Sequence, residues 1–468
     1  MSLTWLLIAF FISLAFVLVT IMKFRMHPFL SLLLGGILMG ILTKLKLSTI
    51  ASTMASGFGS TLGGIGIIIL WGIVLGNLLH KSGCTEQIAA LMLRASGPDN
   101  SPLAIALTGY IVSIPVFFDA AFVILVNLVK QLSRKGKVPF ITLVTSLGVG
   151  LITTHAMVIP TPGPLTVVGN MNAGIGAFFV YGALVALVAV LVAGVAYARS
   201  LGRRKAYADD FANAFDDIEG PELTDTDKAK PSGGLGIFLI LFPILLILIG
   251  TLGKEIIGKS MAAAANGTDS FGYQFMSFIG DKNIALMIGA IVAYLVLRRY
   301  LTDGFEPFIT DSARDAGPIF LITGAGGAFG AIINATGIGD QLVTGMSGWT
   351  SASATILLIL IAWLISQILR AAQGSTTVAL VTTSALFGPL VAGLGTVSPV
   401  LVGLAICAGG IGVSLPNDSG FWVVNRFAKF SLRQTIDSWT IGGTISGVTA
   451  LVLIILLSLC QGFLPGLL

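Results

Sequence analysis

The chain has 468 residues, of which 55% are hydrophobic and 10% charged, with a mean hydropathy of +0.97 and a formal net charge of +5. A soluble domain carries about 25% charged residues, so this composition excludes a soluble enzyme or binding module and points to a polytopic α-helical membrane protein. The basic residues cluster at the ends of apolar runs, as the positive-inside rule expects, so the net charge is no sign of a nucleic-acid partner.

Residues 2–22 lack a basic start and a small-residue cleavage site, so they read as a retained span. Spans follow near 28–45 and 61–80, the latter ending at His80 and Lys81. Residues 102–133 form one apolar block interrupted at Pro115. That is too short for two crossings at about 20 residues each, and two half-length helices meeting at Pro115–Asp119 in a re-entrant hairpin fit better. Residues 139–158 lead into Thr153–Thr166, where Pro160, Pro162 and Pro164 stop a regular helix. Broken backbone exposed to lipid is not viable, so this stretch must be wrapped in protein or line a polar cavity. A further span covers about 174–198.

Arg199–Lys230 holds eight of the 21 acidic residues, together with Arg203, Arg204 and Lys205. It reads as a solvated linker (199–232) between a first membrane half (1–198) and a second (233–468), and its basic flanks put it in the cytoplasm. Spans near 235–257 and 281–300 precede a polar interfacial segment, Thr302–Asp315. Then come spans near 317–335, 353–370, 374–391 and 397–412, a break at Ser414–Gly420, and a last span near 436–460. Arg426, Lys429 and Arg433, and likewise Lys130, Arg134, Lys135 and Lys137, lie on the cytoplasmic side. Gly253-K-E-I-I-Gly258-Lys259-Ser260 matches P-loop spacing, but it trails a span on the opposite face, so no ATP site is expected. The three cysteines, Cys84, Cys407 and Cys460, have no spacing that suggests a disulfide or a metal site.

Sliding the chain on itself by 254 residues aligns Gly72 and Gly76 with Gly326 and Gly330, Ser82-Gly83 with Thr336-Gly337, Asp119 with Gln373 and Pro162 with Pro416. The first hairpin is flanked by Lys and Arg and its counterpart by almost none. The copies, about 61–170 and 315–424, therefore read as inverted repeats, the signature of a secondary transporter with its site near the midplane.

Ile114–Leu125 (IPVFFDAAFVIL), Thr154–Pro164 (THAMVIPTPGP), Gly324–Gly330 (GAGGAFG) and Asn417–Trp422 (NDSGFW) resemble the gluconate permease family of bacterial symporters. The resemblance implies proton-driven uptake of small hydroxylated carboxylates, typically sugar acids, across the inner membrane. It also implies a scaffold domain that often dimerises and a moving transport domain built around the two hairpins. Two positions depart from the family pattern, which has a histidine where Thr161 stands and another where Leu415 stands.

Asp119 and Asp418 stand at helix breaks in apolar surroundings, where a carboxylate costs at least about 2.5–3.5 kcal/mol. Each reads as a proton carrier or as a helix-capping acid. His155, embedded in an apolar run, reads as a proton-exchange group or as a structural histidine. Arg370 can grip a substrate carboxylate or lock onto Asp418 or onto helix C-terminal carbonyls. Gln373, Gly374, Ser375 and Thr376 form a candidate anion cradle, with Ser375 as an ordinary N-cap the plainer reading. Thr161, Gly163, Asn417 and Ser419 are candidate contacts for the rest of the substrate. No cofactor or metal is expected, only a proton gradient, with sodium coupling, a D-amino-acid substrate such as D-serine, and more remotely a channel as alternatives.

Overall fold

A computed structural model of the chain describes residues 2–467, except 97–99, 137, 208–229, 262–270, 303, 339–340, 342–350, 393, 395–396 and 416–417. Most of the expected linker and the proline paired with Pro162, Pro416, therefore lie outside the described residues. Among the described residues the fold is all-helical, without strands. Among these residues six helices are long and apolar enough to cross a membrane, or seven with one bent pair.

The first half runs α1 (Leu3–Met22), α2 (Pro28–Leu42), α3 (Leu47–Lys81), α4 (Cys84–Ser96), α5 (Ser101–Val112), α6 (Phe118–Gly136), α7 (Phe140–Met157), α8 (Pro162–Asn170) and α9 (Ile175–Gly202). The second runs α10 (Gly233–Met261), α11 (Phe271–Ile279), α12 (Lys282–Leu297), α13 (Phe305–Ala335), α14 (Ser351–Gln373), α15 (Thr376–Ala392), α16 (Pro399–Gly409), α17 (Ser419–Phe427) and α18 (Leu432–Leu459).

Two sequence expectations change. The third span starts at Leu47, well before 61, and bends by 41° between Gly64 and Gly66. Its Gly/Ser/Thr-rich first half has low hydropathy because small residues let it approach α13 closely. A Cβ on Gly57 would lie 2.6 Å from the Gly327 carbonyl oxygen. Thr302–Asp315 is no separate interfacial segment, since from Phe305 it is continuous with α13. The P-loop-like run lies inside α10, with no strand before it, which removes the geometry that a phosphate loop needs.

The two halves repeat their helix boundaries. Adding 254 to the bounds of α2 gives 282–296, against Lys282–Leu297 for α12, and adding it to the end of α3 gives 335, the last residue of α13. Gly83 and Gly337, which follow at the same spacing, both have positive φ, +78° and +71°. From the hairpin tips onward the spacing lengthens to 257 or 258, with α6 starting at Phe118 and α15 at Thr376, α8 at Pro162 and α17 at Ser419, then α9 at Ile175 and α18 at Leu432. The structural counterpart of Asp418 is thus Thr161, each being the N-cap of its half-helix. Pro162 falls on Ser419, and Asp119 falls beside Thr376–Thr377, not on Gln373. Packing is reciprocal: α8 lies on α15 of the other half, and α17 lies on α6.

Candidate functional site: two helix breaks and a buried arginine

The first break is shorter than three prolines suggest. Pro162 and Pro164 are the first and third residues of α8, where a backbone N–H has no intrahelical acceptor anyway. Only Val158–Thr161 leaves the helix, and the Thr161 hydroxyl closes it by donating toward the carbonyls of His155 (3.0 Å) and Val158 (2.7 Å). The span window in Phe140–Asn170 is wholly buried, so the broken backbone is wrapped in protein. Part of that wrapping is α3: a Cβ on Gly72 would lie 2.8 Å from the Pro160 oxygen, and one on Gly76 would lie 2.1 Å from the Pro115 oxygen. The glycine pair therefore admits both the first break and the first hairpin tip. His155 is buried with Nδ1 unpartnered and its ring 5.8 Å from that of Phe117 at the tip.

The second break carries charge. Arg370, in the last turn of α14, is 1% exposed, and Asp418 is 5% exposed. Arg370 Nη2 donates to Asp418 Oδ2 at 2.6 Å. The same carboxylate caps α17, with Oδ1 accepting from the Gly420 amide at 3.0 Å, and Oδ2 also accepts from the Ser414 hydroxyl. Trp439 of α18 donates from Nε1 to Ser414 Oγ at 2.6 Å, and its ring lies tilted 4.4 Å from that of Phe118 of the first hairpin. Among the described residues, Arg370 Nε and Nη1, both buried, have no hydrogen-bond partner. A buried unsatisfied donor costs roughly 1–3 kcal/mol, more when charged, so these two nitrogens mark a position for an anion.

The tip of the second hairpin is built around that arginine. Gly374 turns the chain with φ +73°, and its amide donates to the Arg370 carbonyl at 2.9 Å. Ser375 Oγ accepts from the Val378 amide at 3.4 Å as a cap of α15, and the Thr376 hydroxyl donates to the Gly410 carbonyl at 3.1 Å, tying the tip to the break. Gly163 packs closely on α15, since a Cβ there would sit 3.0 Å from Leu380 Cδ2. Asp119, in the first turn of α6, keeps an accessible side chain at the hairpin tip and lies within electrostatic reach of Asp418 and Arg370. His155 is likewise within reach of Arg370. Asn417 lies outside the described residues, as do the side chains of Gln373 and Ser419.

The structure thus brings Asp119, His155, Thr161, Arg370, Thr376 and Asp418 to one locus. It adds Ser414, Trp439 and Phe118, which sequence reasoning missed. Trp439 sits in a single π-helical turn, Ile436–Thr440, a distortion with no signature in one sequence. Among the described residues no cluster of His, Cys, Asp or Glu is arranged to hold a metal ion.

Residues 5–460 match the GntP family permease model. The chain belongs to the GntP permease family. It is 34% identical to an uncharacterized permease of Haemophilus influenzae over 98% of this chain and 92% of that one. It is 32% identical to the gluconate permease of Pseudomonas aeruginosa and, equally, to the D-serine transporter DsdX of Escherichia coli K12, in both cases over 97% of this chain and 98% of the relative. The fold of this permease is similar to that of the YdaH transporter of Alcanivorax borkumensis, with a TM-score of 0.66, 14% identity, and coverage of 94% of this chain and 100% of that one. Family and helix content together make it a multi-pass membrane permease.

Proposed function

We propose that this permease is a proton-coupled symporter that imports a small hydroxylated carboxylate, such as a sugar acid, across the inner membrane by alternating access. The observation that carries this reading is Arg370: fully buried, neutralised on one side by Asp418, with Nε and Nη1 unpartnered. A substrate carboxylate meets those donors, and the hydroxyl oxygen of Thr161 accepts from substrate hydroxyls. Asp119, Asp418 and His155 are the groups near enough to that charge for a proton to accompany it. The two hairpins and two breaks move as a unit past the remaining helices in an elevator-type motion, and the protein works as a homodimer.

Likeness to a D-serine transporter favours a second reading, a D-amino acid whose ammonium takes Asp119 or Asp418 as its partner. Sodium coupling would instead use the carbonyls of the two breaks. Uptake of D-gluconate and D-serine into proteoliposomes under imposed proton or sodium gradients separates these readings. Gluconate accumulation that tracks the inward proton gradient is the expected result, and uptake indifferent to pH removes the proton reading.

A further inference from the structure

A second polar space lies apart from the helix breaks. An open cavity of about 430 Å³ is lined by α3, the C-terminal end of α8, the start of α12, α13 and the far half of α15. Its polar lining is Ser60, Thr61, Asn170, Asn172, Lys282 and Asn334, and the remainder is glycine, alanine and proline. Among the described residues no carboxylate lines it, and Lys282 is its one charged group. Gly64 faces open space, since a Cβ there meets nothing within 4 Å. This size is in the range of small-molecule pockets, about 300–1,000 Å³.

Its side of the membrane follows from the basic residues. Lys130 and Arg134 end α6, and Arg199, Arg203 and Arg204 end α9 or follow it; Arg298 and Arg299 end the α12 span. These ends are cytoplasmic by the positive-inside rule. Asn170 precedes the start of α9, Lys282 begins α12, and Asn334 lies at the opposite end of α13 from Arg314. All three therefore lie toward the external face.

We propose that this cavity is an external antechamber that captures a hydroxylated carboxylate before it reaches Arg370, with Lys282 drawing the carboxylate and the three asparagines meeting hydroxyls. The proposal rests on the import reading above. A glycine-walled space with one cation and no anion concentrates anions over cations, since a charge at the mouth of a low-dielectric cleft raises the local counter-ion concentration.

Two measurements test it. In the Cys460→Ser background, whose remaining cysteines are buried, Ser60→Cys reports the local potential through its reaction with anionic and cationic thiosulfonates added outside to whole cells. The anionic reagent is expected to react faster, and adding Lys282→Gln should lower the anionic-to-cationic rate ratio about tenfold. A ratio that Lys282→Gln leaves unmoved overturns the proposal. Separately, Lys282→Gln should raise the apparent KM for external D-gluconate about tenfold with Vmax nearly unchanged; an unchanged KM also overturns it. If the unmodified protein takes up no gluconate, the import reading fails, and the thiol reactivity alone decides the antechamber.

Discussion

The two helix breaks occupy equivalent places in the two halves and solve the same backbone problem by different chemistry. At the first, Thr161 caps an interrupted helix with a neutral hydroxyl turned back on two local carbonyls. At the second, Asp418 occupies the capping position and brings with it Arg370, Ser414 and Trp439. A neutral break is self-contained, whereas a charged one needs partners drawn from other helices. The charged break therefore has more to lose from one substitution, and its leftover donors, Arg370 Nε and Nη1, carry the positive charge an anionic ligand needs. One half supplies shape, and the other supplies charge.

The largest effect should come from separating the ion pair. Arg370→Gln leaves Asp418 buried without its cation, which costs about 3–5 kcal/mol, and thermal unfolding in detergent should show a large drop in Tm. The charge-neutral double substitution, Arg370→Gln with Asp418→Asn, should recover much of that stability while transport stays abolished. If the double variant regains uptake, Arg370 serves the fold alone.

Glycine contacts give the next step down. Gly76→Ala pushes a methyl into the Pro115 carbonyl, at 2.1 Å, and overpacking of this kind costs about 1–3 kcal/mol. At the equivalent Gly330 the nearest atom is Pro389 Cγ at 3.3 Å, which relaxes more easily, so Gly330→Ala should lower Tm less. Equal effects at both glycines would mean that the halves pack alike and that the contrast ends at the breaks.

Smaller again is Trp439→Phe, which keeps the ring beside Phe118 but removes the donor to Ser414. The expected loss is about 0.5–1.5 kcal/mol, and the apparent affinity for substrate should weaken because Ser414 and Asp418 lose a positioning contact. The smallest effect belongs to Thr161→Val, about 1 kcal/mol or less from a single neutral hydrogen bond. Its uptake should keep its preference for an anionic substrate, which can be read by competition between charged and neutral analogues.

The fold was legible wherever hydropathy and proline dominate the local physics. The hairpin at Pro115, the buried break after Met157 and the doubled helix pattern all follow from the rule that free backbone groups must be covered in lipid. The sequence misled where small polar residues lower hydropathy in a helix that packs against another, as in Leu47–Gly64. It also misled where proline starts a helix instead of stopping one, as at Pro162 and Pro164. The constant 254-residue register hid a lengthening to 257, and that shift decides which residue faces which: Thr161 pairs with Asp418 because both are N-caps, a relation of geometry rather than residue type. Arg370 and Asp418 were each visible as costly charges in an apolar setting; their pairing was among the readings open for Arg370, whereas Asp418 read as a proton carrier or a helix cap. Trp439 and Ser414 were not visible, because a hydrogen bond across 25 residues through a π-helical turn leaves no local pattern.

The claim that the second break reads the substrate's charge is tested most directly by equilibrium binding of D-gluconate and its neutral amide, gluconamide. The unmodified permease should prefer gluconate by about tenfold or more, as a charge-assisted contact of roughly 1.5–3 kcal/mol requires. The double variant Arg370→Gln/Asp418→Asn should bind the two alike, whereas Thr161→Val should keep the preference. A double variant that still prefers gluconate would contradict the account and place the carboxylate elsewhere.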